Sequence, residues 1–309
     1  MALDFPDSPS DGDYFEGFAW DATAGVWRVR GSAGKALGLS GGTEVTTGGY
    51  NYFAFAADGS LTVTTAGVVE ALLVGGGGSG GKNYGGGGGG GGGVKHYPSL
   101  YLPAGSHSVT VGAGGLAGIG ANATSIGANG GDSKIGNEAI SFGGGRGGGG
   151  NYGNDYPTAG HGSNGGGSIY NTLGPQQVND WGLANAGGLG VYVQSGGGGG
   201  GAGAPGVNSP GGQVAGAGGS GTDTFSAWGL ATSLGHNVGG TVWFAGGGSG
   251  GPFNSATSSQ LPGPGGGGTC VAGVGQDATV NTGGGGAGSG NLSLSGNGGS
   301  GVVIVRVAV

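Results

Sequence analysis

The chain is short of charge, proline, cysteine and long apolar runs, and each shortage removes a class of protein. Charged residues are 7% of the 309, with eight Lys and Arg against fifteen Asp and Glu, for a net charge of −7. A nucleic-acid binder carries a basic patch, and none is visible. Disordered linkers are usually rich in charge. The low charge, and an aromatic content of 8%, therefore argue against a flexible spacer. Eleven prolines against 95 glycines, with no third-residue register, exclude a collagen triple helix. One cysteine, Cys270, excludes an intrachain disulfide framework and reads as a small buried hydrophobe. The longest apolar runs, residues 68–74 and 302–309, are too short to cross a membrane as helices. The opening MALDFPD is acidic and lacks the basic start and apolar core of a signal peptide. The expectation is a chain made in a cytoplasm that leaves it by lysis or assembly.

What is abundant is glycine, in blocks. Runs are unbroken at residues 85–93, 147–150 and 196–201, and blocks lie near 75–93, 143–150, 196–203, 239–251, 263–268 and 283–290. Between them stand polar, aromatic-bearing inserts near 151–186, 204–215, 222–238, 252–262 and 269–282. No amphipathic helical period is present, and each interior glycine costs an α-helix about 1 kcal/mol relative to Ala. A polyproline-II backbone has three residues per turn and no internal hydrogen bonds, so its N–H and C=O groups point outwards. Without side chains, neighbouring stretches can approach until those groups pair. Each bond returns about 0.5–1.5 kcal/mol net, against about 1–2 kcal/mol to order each residue. One glycine helix should not hold its shape; several packed together and clamped by strands should.

The clamps are legible. Residues 50–56, 61–65 and 68–74 read as strands, with Asp58-Gly59 as a turn, and 108–111 and 302–309 as two more. Pairing 68–74 with 302–309 would tie the ends of the glycine region together. Residues 1–47 differ: they hold Asp4, Asp7, Asp11, Asp13, Glu16 and Asp21. An aromatic stretch at 14–20 and residues 26–30 read as a hairpin anchored by Trp20 and Trp27. So small a segment cannot bury much of a core alone. It is expected to pack on another chain or on the body of this one, and in the first case Phe5, Tyr14, Trp20 and Trp27 would attach it to a partner.

Glycine motifs carry little weight in this background. The nearest to a P-loop, GGGSGGKN at 76–83, has Asn83 where Ser or Thr would hold magnesium, and glycine where a helix should begin. His96, His107, His161 and His236 show no metal-ligand spacing. No nucleophile–base set stands out. Asp155 and Asp180 share one insert but read as solvated acids rather than a glycosidase pair. The reading is no enzyme, no cofactor and no metal. The inserts hold Tyr152, Tyr156, Tyr170, Trp181, Phe225, Trp228, Trp243 and Phe253 among Ser, Asn and Gly. That mixture suits a recognition surface. The competing reading, aromatics filling gaps in a body short of apolar bulk, stands level with it for Trp243.

VVEALLV at 68–74 running into GGGG at 75–78 resembles the opening strand of the phage glycine-rich domain. SVTVGAGG at 108–115 resembles its next strand, and NTGGGGAG at 281–288 with GGSGVVIVR at 298–306 resembles its close. LDFP at 3–6, with Trp20-Asp21 and Val26-Trp27, is similar to a short module near the N-termini of phage fibre proteins. The resemblance spans roughly residues 50–309. It implies a tail-fibre tip adhesin like those of T-even-like phages, a polyglycine-II sandwich whose distal loops recognise the host. Implied partners are other virion proteins and a host-surface protein or glycan, with the chain a homotrimer or a cap on a trimeric fibre. The implied location is the virion. The N-terminal segment is shorter than, and unlike, those adhesins' attachment domain, so capsid or tail decoration is the second reading. An ice-binding glycine-helix protein would favour glycine at every third position, which fails here. The expected fold is all-β and irregular, almost free of α-helix. An attachment module at 1–47 is followed by a glycine-rich adhesin domain at 48–309, with Tyr152, Tyr156, Tyr170, Trp181, Phe225, Trp228 and Phe253 as receptor-binding candidates.

Overall fold

The computed structural model describes residues 10, 14–15, 18–23, 25–29, 34–118, 127–149, 159–168, 185–191, 194–254, 260–291 and 293–309. Near the N-terminus β1 (Tyr14–Phe15), β2 (Phe18–Asp21) and β3 (Val26–Val29) form a small antiparallel sheet. Trp20 and Trp27 stand opposite each other across β2 and β3, their ring centroids 5.6 Å apart. This is the hairpin that the aromatic pattern predicts.

Two larger sheets follow. Their strands are β4 (Leu37–Ser40), β5 (Thr43–Thr47), β6 (Tyr50–Phe55), β7 (Gly59–Thr65), β8 (Gly67–Val74), β9 (Val94–Leu102), β10 (Gly105–Thr110), β11 (Ser133–Ile135) and β12 (Ala139–Ser141). Beyond them come α1 (Ser226–Thr232), the hairpin β13 (His236–Val238) and β14 (Thr241–Trp243), the hairpin β15 (Cys270–Val271) and β16 (Val274–Gly275), and β17 (Val302–Ala308). One sheet runs β5-β6-β17-β8-β9 and the other β12-β11-β10-β7-β4. β17 is central in the first, antiparallel to both β6 and β8, so the two apolar strands pair as expected. β4 and β5 belong one to each large sheet. Residues 37–47 are thus part of the body rather than of the N-terminal segment, and the boundary at 47 lies too late in the chain. Their alternation is too short and too exposed to announce them.

The continuous apolar runs of β8 and β17 have a plain cause. Successive side chains of a strand point to opposite faces, and both faces of this sheet are covered. Val303 and Val305, with Val69, Ala71 and Leu73, meet Leu61, Val63, Val109 and Ile135 of the second sheet. Val302 and Ile304, with Leu72, Val74 and Tyr52, meet Trp228, Val242 and Phe244. The helix α1 presents Trp228, Gly229 and Thr232 inwards, on one face by their spacing. A Cβ at Gly229 would lie 2.4 Å from Val242 Cγ1, so only glycine lets the helix sit this close to β14. α1 closes with Ser233 in the left-handed conformation. At its contact with the sheet, the Arg306 guanidinium lies 3.9 Å from the Tyr50 ring centre and 4.2 Å from that of Trp228. Arg306 Nη2 donates to Glu70 Oε2 at 2.8 Å.

Beyond the strands the extended chain continues as glycine, and its hydrogen bonding changes period. In residues 75–81, the N–H groups of 75, 78 and 81 donate to carbonyls of 93, 90 and 87. Those of 76 and 79 donate to 131 and 128, and those of 77 and 80 to 299 and 296. Every third residue addresses the same neighbour, the signature of a three-fold backbone helix. Residues 86–93 make the case complete. Their N–H groups go in rotation to 283–289, 142–148 and 197–200, while their carbonyls accept from 75–81, from 248 and 251, and from 167. One glycine helix thus touches six others, three by donating and three by accepting.

Contact this close forbids a Cβ. At Gly88 it would fall 2.0 Å from the Gly248 carbonyl oxygen and 2.8 Å from Gly199 N. Gly77 and Gly199 would each meet a carbonyl oxygen at 2.0 Å or less. The glycine Cα therefore rests against a neighbour's carbonyl, a Cα–H···O contact worth about 0.5–1 kcal/mol. Some of the side chains that are admitted bond the backbone: Ser249 Oγ accepts the Cys270 N–H, and Asn164 Nδ2 donates to the carbonyls of Gly91 and Gly92.

Two predictions test this packing. Gly88→Ala should lower stability by at least about 3 kcal/mol, because the clash is with backbone on two sides. Gly34→Ala, where nothing lies within 4 Å, should leave the thermal midpoint within about 1 °C of the original. Cys270 is 1% exposed. Burial pushes its thiol up to about 11, against smaller opposing hydrogen bonds from the Gly273 and Gly290 backbone. The folded thiol stays protonated where the unfolded one ionises, so it should subtract stability as pH rises from about 9 to 11. Compared with Cys270→Ala, the original chain should lose about 1.4 kcal/mol more per pH unit across that window in denaturant titrations.

Candidate recognition surface

The direction of each glycine helix fixes which end of the body a turn occupies. Residues 75–81 leave β8 and residues 86–93 run back into β9, so the turn at 82–85 lies at the end away from the sheets. Residues 245–251 and 283–289 lie antiparallel to 86–93. They run outwards, which carries 252–254, 290–291 and 293–294 to that same far end. Residues 196–200 lie parallel to 86–93, so Gln194 and Ser195 begin there as well. The segment holding α1, β13 and β14 falls between an inward and an outward helix and sits at the sheet end.

The far-end turns are tied to one another. Phe253 N–H donates to the Gln194 carbonyl at 2.7 Å, and Asn291 N–H donates to the Phe253 carbonyl at 3.0 Å. Gly290 N–H reaches the Gly273 carbonyl, and Gly275 N–H the Leu294 carbonyl. Asn254 N–H donates to Gln213 Oε1. On this framework the Tyr84 and Phe253 rings stack, with centroids 5.5 Å apart and planes 22° from parallel. Asn83 and Tyr84 both hold positive φ, 63° and 50°, ahead of Gly85 at 79°. Asn tolerates the left-handed region through its short polar side chain, but Tyr84 there costs about 1–2 kcal/mol. The turn spends that energy holding Tyr84 against Phe253. Val271, Val274 and Leu294 are exposed at the same end.

The sequence-predicted residues separate accordingly. Phe253 lies at the far end, half-buried in the stack. Phe225 and Trp228 lie at the opposite end, against the sheet. Trp228 is 5% exposed and packs on Tyr52, His96 and Phe225. The expectation that Trp228 is presented to a receptor is corrected: its ring is buried in the second core with Tyr52, Val242, Phe244 and Ile304. Trp243 is half-buried opposite His236. Tyr152, Tyr156, Tyr170 and Trp181, with Asp155 and Asp180, lie outside the described residues, as does Phe5. The backbone of Tyr14 is in β1, and Trp20 and Trp27 are half-buried. Tyr84, Val271, Val274 and Leu294 were not anticipated. The signal for Tyr84 was available: an aromatic alone between two glycine runs can only be a turn.

No phosphate cradle exists at 75–81, since each of those N–H groups is spent on a neighbouring carbonyl. Among the described residues no group of His, Cys, Asp or Glu could hold a metal ion, and no helix is long and apolar enough to cross a membrane. His236 Nδ1 accepts from the Gly265 and Gly266 N–H groups. His107 is 7% exposed, and its Nε2 donates to the Pro103 carbonyl at 2.9 Å. Both histidines are structural. No curated protein matches the chain. A family model described as a glycine-rich domain matches residues 55–308. That span opens on the last residue of β6, closes on the last of β17 and takes in the whole lattice. The chain belongs to the glycine-rich domain family.

Proposed function

We propose that the protein is a virion recognition protein, an adhesin of a phage tail fibre or tail tip. Its far-end turns bind the bacterial surface, and its N-terminal residues hold it on other virion proteins. One observation carries this reading. The lattice gathers turns from distant parts of the chain onto one face, and there a strained turn and a stacked aromatic pair stand at the same end as exposed Val271, Val274 and Leu294. Strain at a turn that presents an aromatic side chain points to use, and aromatic anchors are the side chains that dominate interfaces. Among the described residues no group of His, Cys, Asp or Glu that could hold a metal ion gathers there, and binding is the role this face suits. At the other end, Trp20 and Trp27 pair across a sheet of three short strands, a surface suited to packing on a neighbouring chain.

Labelled protein should bind saturably to some strains of a bacterial panel. Tyr84→Ala and Phe253→Ala should each weaken that binding about tenfold or more, with unchanged thermal midpoints. Leu230→Ser, on the exposed face of α1 at the sheet end, should leave it unaltered. Immunogold labelling of virions should mark the tail. Label on the head, with no strain bound, would establish a decoration protein instead.

A further inference from the structure

A cleft of about 210 Å³ opens in the side of the lattice near the sheets, lined by Asn129, Gly130, Asp132, Phe142, His161 and Gly162 among others. It is remote from the far-end turns, because Asp132 directly precedes β11 and Phe142 directly follows β12, each at the sheet end of its glycine stretch. Three properties set it apart from the surrounding wall. Phe142 is 40% exposed, a bare ring in a surface made mostly of backbone. The Asp132 carboxylate accepts the Gly143 N–H at 3.2 Å through Oδ1, and its Oδ2 lies 3.4 Å from Lys134 Nζ. A carboxylate has about four lone-pair sites, so it keeps acceptor capacity. The third property concerns the backbone. The Gly130 carbonyl and the Gly162 N–H and carbonyl, like some other lattice groups, have no backbone partner among the described residues, and here they line a cleft.

We propose that this cleft is a binding site for one neutral sugar ring, a use that does not depend on the far-end reading. The Phe142 ring would take the apolar C–H face of the pyranose. Hydroxyl donors would go to Asp132 and to the carbonyls of Gly130 and Gly162, and a hydroxyl oxygen would accept the Gly162 N–H. Few fixed polar groups beside an aromatic surface is the usual make-up of a small-ligand site. The volume has room for about one ring and not for an extended chain. Charge narrows the class. A uronic or sialic acid would set its carboxylate against that of Asp132, whose own cation is already engaged, whereas the hydroxyls of a neutral hexoside can both donate to the acceptors and accept from the Gly162 N–H. The Asn129 side chain is already committed at both ends, Oδ1 to the Arg146 N–H and Nδ2 to the His161 carbonyl. It fixes the shape of the cleft rather than taking part.

Saturation-transfer NMR on the full chain tests this with methyl glucoside, methyl galactoside and N-acetylglucosamine, and with galacturonate as the anionic control. At least one neutral sugar should receive saturation, with a dissociation constant in the millimolar range. Asp132→Asn and Phe142→Leu should each weaken it by about tenfold; the leucine keeps apolar bulk but removes the ring face. Galacturonate should bind at least about tenfold more weakly than the best neutral sugar. Tyr84→Ala should leave sugar binding unaltered, which separates this site from the far-end surface. Transfer to no neutral sugar, equal binding of galacturonate, or wild-type affinity in both cleft variants with unchanged thermal midpoints would each overturn the proposal.

Discussion

A backbone amide that turns by a third of a circle per residue, on a chain with no Cβ to keep neighbours away, is the constraint on which the rest of this molecule depends. In a β-sheet the amides alternate between two directions, and a strand has two partners. When the side chains end at Val74 and the chain becomes glycine, the rotation changes and the same extended backbone acquires partners all round, as residues 86–93 show with six. Per residue the account nearly closes. About 1 kcal/mol from a backbone hydrogen bond and about 0.5–1 kcal/mol from a Cα–H···O contact stand against about 1–2 kcal/mol of backbone entropy. Nothing is left over for a helix lacking any of its neighbours, so the lattice needs a boundary that is stable for other reasons.

The two sheets supply it. Strands β8, β9, β10, β12 and β17 each connect directly or within two residues to a glycine helix, so strand register sets helix register. The pairing of β17 between β6 and β8 is decisive because of its separation in sequence. Glu70 and Arg306 are ion-paired across 236 positions, and everything in the lattice lies between them. Closing so long a loop carries an entropic cost that grows only slowly with length, but it delays folding, since the non-local contacts reward the chain only after closure. The double-sided apolar face of β17, with α1 and Trp228 on one side and the second sheet on the other, is what makes the late pairing favourable.

How much of this was legible follows the same division. The strands at 68–74 and 302–309 could be read because burial on both faces makes an uninterrupted apolar run. Other elements could not. β9 carries Lys95, His96 and Pro98, and α1 carries Gly229 within seven residues. Both exist because of what they pack against, which local propensity does not contain. The glycine helices were legible as a class, yet their partners were not, because a run of identical residues has no pattern from which to read a three-fold period or a direction. The same gap explains Trp228 and Phe253. Each is an aromatic in a polar insert, and nothing local distinguishes them. Which end of the body an insert occupies depends on the count of inward and outward helices before it. An odd or even number of reversals decides between core and surface.

That parity has a consequence for what can vary. A glycine helix contributes almost no side chain, so it imposes no chemical demand on the turn that follows, only that the next helix return at the right spacing. Turn composition at the far end is therefore free to change without disturbing the lattice, provided the flanking glycines stay. The sheet-end segments have no such freedom. α1 and the hairpin of β13 and β14 are held by Trp228, Val242 and Phe244 in a buried cluster with Tyr52, Leu72 and Ile304, and the Arg306 guanidinium sits between Tyr50 and Trp228. The molecule thus separates an end where side chains pack into a core from an end framed mainly by main-chain bonds, with few side-chain ties such as the Tyr84–Phe253 stack. The far-end hydrogen bonds from 253 to 194, 291 to 253 and 290 to 273 use main-chain atoms alone, so they do not depend on the side chains of 194, 253 or 291. A surface whose frame is backbone and whose contacts are side chains can be re-addressed one residue at a time.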